Sequence, residues 1–312
     1  MNLIKYRYLY FAISLVVIIP GIIALALWKL PLGIDFTGGS LLEVQFASGK
    51  QPAISDVAGL YAEMSTAEMD ISNPVVQPLG TDALSVRSKE MNDALKTQIV
   101  AAMKERFGDG QDVIVLNFTQ VSAAIGKEVA RAAAIAVGMA AIAILLYITY
   151  AFRKVEHAFR YGAAAIIAML HDVLVVVGME ALLGHFLGWQ ADSLFLTALL
   201  TVIGFSVHDT IVVFDRIREN SNVYRRVGYE TIVNHSVVQT LDRSINTQLT
   251  VMLTLLALAL FGGESIRHFV VILLIGVFSG TYSSIFNASP ILVVWENKEW
   301  RNWFRRKQEP AA

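Results

Sequence analysis

Residues 201–220, TVIGFSVHDTIVVFDRIREN, decide how the rest of the chain is read. The stretch begins as an apolar helical run, carries His208 and Asp209 in its interior, and ends in the charged group Asp215, Arg216, Arg218 and Glu219. Ionisable side chains inside a lipid-solvated helix are costly, and they mark either an ion path or a hydrogen-bonded tie between helices. Both readings require a polar partner at matching depth in another span.

The surrounding composition supports a membrane setting. Of 312 residues 55% are hydrophobic and 16% charged, and the mean hydropathy is +0.55. Such values exclude a disordered or ordinary soluble chain and point to a multi-span α-helical membrane protein. The absence of cysteine excludes disulfide staples and thiolate metal sites. A net charge of -1 without a basic stripe gives no reason to expect nucleic acid as a ligand.

Apolar segments at 8–28, 129–151, 159–183, 193–214, 245–261 and 269–295 predict six transmembrane helices, each near the roughly 20 residues needed to cross a bilayer. The first follows Lys5 and Arg7 like a signal peptide, but it has a long core with no small-residue cleavage site, and Trp28, Lys29 and Leu30 come directly after it. It reads as an uncleaved span. Six crossings put both termini on one side. Lys5 and Arg7, then Arg153, Lys154 and Arg160, then Arg216, Arg218, Arg225, Arg226 and Arg243, and finally Lys298, Arg301, Arg305, Arg306 and Lys307 all fall on that side, against Arg267 in the opposite short loops. This bias predicts that both termini are cytoplasmic. The predicted domains are residues 1–28 (N-terminus and first helix), 29–126 (an extracytoplasmic domain), 127–297 (the remaining five helices) and 298–312 (a basic cytoplasmic tail).

Within the large loop, period-two alternation predicts strands at 40–46, 75–78, 83–87 and 113–118, and helices at 54–64 and 92–107. Strand, helix, two strands, helix, strand is the order of an α+β ferredoxin-like domain. Ahead of its first strand stands GIDFTGGS, residues 33–40. Gly38 and Gly39 permit a tight turn, and Asp35 can cap neighbouring amides, so the segment reads as a junction between span and domain. It lacks the Lys and Ser/Thr that follow a phosphate-cradling loop.

In the spans, Arg243, Thr247, Thr250 and Thr254 recur on one face of the fifth, with Asn246 beside them. Arg243 either snorkels to the headgroups or faces inward, and the threonine stripe favours the inward reading. Asp209 is the carboxylate best suited to a protonation cycle, because apolar surroundings favour the neutral acid while an approaching Arg243 favours the carboxylate. Arginine hardly deprotonates and so would modulate the acid and not relay protons. His208 adds a titratable partner or orients the carboxylate. His171 and Asp172 in the third span read first as polar support between helices, as do the threonines of the fifth. Gly276 and Gly280 form a small-xxx-small packing face in the sixth. No metal ligand set, nucleophile triad or cofactor motif emerges, and an enzyme is not expected.

Four stretches in order, GIDFTGGS at 33–40, VIGFSVHDTIVVFDRIREN at 202–220, QTLDRSINT at 239–247 and GTYSSIF at 280–286, resemble the SecD/SecF family of protein-export membrane proteins within the resistance-nodulation-division superfamily. The resemblance implies one six-helix half partnered by a similar half, SecD, beside the SecYEG channel in the bacterial inner membrane, with YajC as a further associate and the first loop periplasmic. It implies a subunit that couples the proton motive force to late stages of polypeptide translocation, the proton being the coupling ion and no other cofactor being needed. Asp209 then matches the acidic position of span four and Arg243 the basic position of span five. A carboxylate of SecD would complete the path. His268 stands where relatives often carry an acid, so His268 and Glu264 are the candidates for a proton entrance. Asp215, Arg216, Arg218, Glu219 and Asn220 are expected to support a cytoplasmic loop or to meet the partner, Asn220 as a helix cap. The emerging polypeptide and membrane lipid are the other expected contacts. Half of a proton-driven small-molecule exporter, or a scaffold that stabilises a channel without conducting, are the competing functions.

Overall fold

The computed structural model describes residues 1–66, 69–153, 155 and 157–301, the side chains of Glu264 and Trp300 excepted. Lys154 and the tail beyond Arg301, with Arg305, Arg306 and Lys307, lie outside the described residues. In chain order the elements are α1 (Arg7–Trp28), a one-turn α2 (Ile34–Thr37), β1 (Gly39–Phe46), α3 (Ile54–Met64), β2 (Val75–Leu79), β3 (Ala83–Ser88), α4 (Asp93–Phe107) and β4 (Val113–Val121). The chain continues through α5 (Ala123–Ala151), α6 (Ala158–Leu187), α7 (Ser193–Val223), α8 (Tyr229–Phe261), α9 (Glu264–Ser283) and α10 (Ser289–Glu296). Among the described residues six helical segments are long and apolar enough to span a membrane, as expected. The last of them, Ser265–Glu296, runs through α9 and α10.

Two compact units emerge, one of residues 30–136 with 184–194, the other of residues 1–29, 137–183 and the chain from 195 onward. The first is the α+β domain. Its four strands pair antiparallel in the order β2-β3-β1-β4, the ferredoxin-like arrangement read from the sequence. Alternation along β1 sends Leu42, Val44 and Phe46 into a core closed by Leu60 and Tyr61 of α3 and by Leu95, Ile99 and Met103 of α4. The Asn92 side chain accepts the Leu95 amide at 2.8 Å and so caps α4.

Gly38 and Gly39 have φ of 77° and 135°. A Cβ on Gly38 would sit 2.5 Å from the Cα of Ala123, and one on Gly39 2.5 Å from the Ser88 carbonyl oxygen. Both conformation and space therefore demand glycine at this turn. Asp35 Oδ2 accepts the Ser193 amide at 2.8 Å and the Ser193 hydroxyl at 2.5 Å, so the cap it provides is at the start of α7. Residues 184–194 are tied to this unit further by a bridge between Leu32 and Ala191 and by the Gln77 side-chain amide, which donates to the Gly188 carbonyl. Arg87 is largely buried, which pushes its guanidinium below the ordinary value, while Asp192, Glu43 and Asp35 act to keep it charged.

The second unit is a helix bundle. α1 and α6 touch backbone to backbone where Gly21 meets Gly178, since a Cβ on Gly21 would lie 2.9 Å from the Gly178 Cα. α9 approaches α7 through Gly276, where a Cβ would lie 2.0 Å from a Val202 methyl, and through Gly280, 3.2 Å from the Ser206 Cα. This is the small-residue packing read from the sequence. Between α9 and α10 the helix widens into a π turn at Ser284–Ala288, just before Pro290. A π turn suits a proline that cannot donate its amide and would clash with the preceding turn. Near the N-terminus, Arg7 pairs with Glu299 at 2.6 Å and Glu230 at 3.2 Å. Burial would raise the Glu299 carboxyl, but hydrogen bonds from Arg7, Tyr8 and Asn297 outweigh it and hold it below the ordinary value.

One expectation fails on length. The apolar runs end at 214 and resume at 245, which predicts a cytoplasmic loop between them, yet α7 runs to Val223 and α8 starts at Tyr229. The charged residues that looked like loop chemistry continue the helical period instead, because Asp215 and Arg218, and Arg216 and Glu219, satisfy each other one turn apart.

Candidate functional site

The buried polar groups of the bundle are placed by serines, threonines and amides spaced a helical turn apart. Asp209 on α7 is 2% exposed. Its Oδ2 accepts from Gln248 Nε2 of α8 at 2.8 Å, and Gln248 is itself buried, its Oε1 having no hydrogen-bond partner among the described residues. Next to Asp209, the Thr210 hydroxyl meets Ser284 Oγ at 2.9 Å, and Ser284 donates to the Ser206 carbonyl at 3.0 Å. These contacts join α7 to the π turn.

The fifth span presents two polar stripes, and the inward one is not the stripe chosen from the sequence. Ser236, Thr240, Ser244 and Gln248 are buried at successive turns. Arg243, Thr247, Thr250 and Thr254 lie on the exposed side. Each of these threonines donates to a carbonyl one turn back, of Arg243, Asn246 and Thr250 respectively. Both stripes recur at a spacing of three to four residues, so periodicity alone does not say which faces the bundle. His208 is likewise exposed. Arg243 and His208 stand on the exposed side of their helices, while Gln248 makes the hydrogen bond to Asp209.

A second buried acid is more completely satisfied. Asp172 on α6 is fully buried. It accepts from Ser279 Oγ and Ser283 Oγ of α9, both at 2.6 Å, and from His171 Nδ1 at 3.0 Å. Tyr282 stacks on the His171 ring with centroids 6.2 Å apart. His171 and Asp172 therefore tie α6 to α9.

A third acid, Glu180, was not singled out from the sequence. It is fully buried on α6 and meets His268 of α9 at 2.8 Å. Its only sequence signal is a lone acid in an apolar run, VVVGMEALL at 175–183. The side chain of Glu264, the other candidate for an entrance, lies outside the described residues.

At the far end of α7, Asn220 is buried and not a helix cap. Its Nδ2 donates to Ser236 Oγ and Gln239 Oε1, both at 2.9 Å. Gln239 Oε1 also accepts from Arg216 Nε at 2.7 Å. Arg218 pairs with Asp215 at 2.5 Å and lies 5.7 Å from the centre of the Phe152 ring.

Six spans with acids buried among them, and an α+β domain between the first and second, define a multi-span membrane protein. The family profile "Protein export membrane protein SecD/SecF, C-terminal" matches residues 100–298, and "SecD/SecF GG Motif" matches residues 29–49, which contain Gly38 and Gly39. Proteins named "Protein translocase subunit SecF" from Anaerolinea thermophila and Thermobaculum terrenum are 56% and 50% identical, each aligned over 100% of this chain and 99% of the relative. The chain belongs to the SecF family of protein translocase subunits. A crystal structure of SecDF from Thermus thermophilus, described as a translocon-associated membrane protein, matches with a TM-score of 0.81 at 31% identity over 95% of this chain. The chain spans 39% of that longer one.

Proposed function

We propose that this chain is one half of a proton-driven export device in the bacterial inner membrane, with SecD as the other half and the SecYEG channel, together with YajC, as the machinery it serves. Asp209 is the proton-carrying acid in this reading, and Arg243 and His208 tune it from the partner-facing side. Both termini are cytoplasmic, and the ferredoxin-like domain is periplasmic, where it meets the emerging polypeptide.

The observation that carries the proposal is the setting of Asp209. A buried carboxyl is held by one neutral amide, while the exposed sides of α7 and α8 carry His208, Arg243, Asn246, Thr247, Thr250 and Thr254. An arginine and a histidine facing hydrocarbon are costly, so a second protein surface is needed to cover them. Membership in a family of translocase subunits supports export as the work done, and the greater length of the SecDF chain supports a second half as the cover. Asp209 lies just inside that surface. A rearrangement of the cover would change the field at the carboxyl and so load or release a proton.

The test is reconstitution with a SecD partner in vesicles under a proton gradient, once assembly of each variant has been verified. Asp209→Asn is expected to abolish proton-dependent export, and Arg243→Ala to reduce it at least tenfold, a barrier change of about 1.4 kcal/mol. Unchanged export and proton conductance in both variants would leave only a scaffold role.

A further inference from the structure

Glu180 and His268 are a buried acid and a base that the Asp209 reading does not use. Glu180 Oε2 lies 2.8 Å from His268 Nε2, and among the described residues Oε1 has no hydrogen-bond partner. The two side chains differ in access, the glutamate being 0% and the histidine 17% exposed. The sequence around the pair is apolar. Two residues ahead of Glu180, Gly178 presses against Gly21 of α1. Residues 18–28 of α1, 194–205 of α7 and 250–261 of α8 contain no ionisable side chain. On α9 the neighbouring ionisable residues are Arg267 and Glu264, and on α6 the nearest is the exposed His185.

A carboxylate with one bare oxygen in such a place is unfavourable unless its charge is balanced. One proton shared with the imidazole leaves the pair neutral overall. Removing that proton strands a buried negative charge. Adding a second, on the bare Oε1, leaves an imidazolium against a neutral acid whose Oε2 still accepts from the ring, so the tie between α6 and α9 loses its ionic attraction and weakens. Imidazole is the side chain whose ordinary titration falls closest to neutrality, and here it is also the more exposed member of the pair.

We infer that Glu180 and His268 together form a proton-binding site in the bundle, which exchanges with water through His268. The inference does not draw on the Asp209 reading. Across a 2.8 Å contact, each change in proton occupancy alters both the carboxyl and the ring. In its singly protonated state the site holds α6 against α9.

The test is pH-difference infrared spectroscopy of the full chain in lipid nanodiscs. A buried carboxylic C=O band and an imidazole band are expected to change together. Glu180→Gln should remove the carboxyl band, and His268→Gln should move its midpoint by about one pH unit or more. The exchanged pair Glu180→His with His268→Glu should restore a coupled transition, which guards against loss of folding in the single variants. Asp209→Asn should leave both bands in place, so failure of the export reading is told apart from failure of this one. Identical spectra for wild type and Glu180→Gln, or an unmoved midpoint in His268→Gln, would overturn the inference.

Discussion

The two compact units are built inside out with respect to one another. In the ferredoxin-like domain the polar residues that are buried among the described ones are Ser40, Ser85 and Ser88, and ion pairs such as Lys89 with Asp70 and Arg106 with Glu63 stand on the surface. In the bundle the interior holds Asp172, Glu180, Asp209, Asn220 and Gln248, while Val16, Met139, Leu146 and Phe261 point outward. Solvent accounts for the inversion. Water rewards burial of hydrocarbon at roughly 25 cal/mol per Å². Lipid gives hydrocarbon no such preference, and helices there associate through close contact of small residues and through hydrogen bonds.

The comparison is sharpened most by the acid with the most partners. Asp172→Ala would strip hydrogen bonds from Ser279, Ser283 and His171 at once, and a loss of about 3 kcal/mol is expected from unsatisfied buried donors. Thermal unfolding in detergent would measure it. Asp209→Asn should cost less than about 1 kcal/mol, because the new carbonyl can still accept from Gln248. Equal losses would mean that Asp209 is also a structural tie and not an acid free to change its proton.

Packing comes next in size. Gly276→Val would drive side-chain atoms into Val202, already 2.0 Å from an added Cβ, and overpacking of this kind costs about 2 kcal/mol. Pairing Gly276→Ala with Val202→Ala should recover most of the loss of Gly276→Ala alone. A glycine face that tolerates valine without loss would show that the α7 and α9 contact is looser than its geometry.

The sheet domain was readable almost residue by residue. Water on one side and a core on the other impose strict alternation, as in Leu42, Val44 and Phe46 of β1. The spans were readable as spans, but not in their rotation. α8 shows why: Arg243, Thr247, Thr250 and Thr254 mimic an inward stripe, and the true one, ending in Gln248, lies beside it. A helix that is apolar on most sides gives no contrast from which to tell lipid from interior. Asp209 was legible because a carboxylate in a span is conspicuous. Glu180 was equally conspicuous in principle, yet nothing local connects it to His268, 88 residues away. The end of α7 is not legible from hydropathy, because local charge pairs extend the helix beyond its apolar core.

The smallest effect is expected at the domain surface, where the comparison predicts that strong local pairing matters little for folding. Asp70 takes hydrogen bonds from Lys89 and Ser72, which hold its carboxyl well below the ordinary aspartate value. A depressed folded value means stability that is present above the unfolded value, about 3.9, and is lost as the pH falls toward the folded one. The pair is exposed and screened by water, so that contribution is small. Carboxyl-carbon NMR of the full chain should show Asp70 still charged below about pH 3.9, the ordinary aspartate value, and Asp70→Asn should leave the unfolding temperature at pH 7 nearly unchanged. A fall approaching that of Asp172→Ala would break the contrast, since surface charge would then hold the domain as firmly as buried charge holds the bundle.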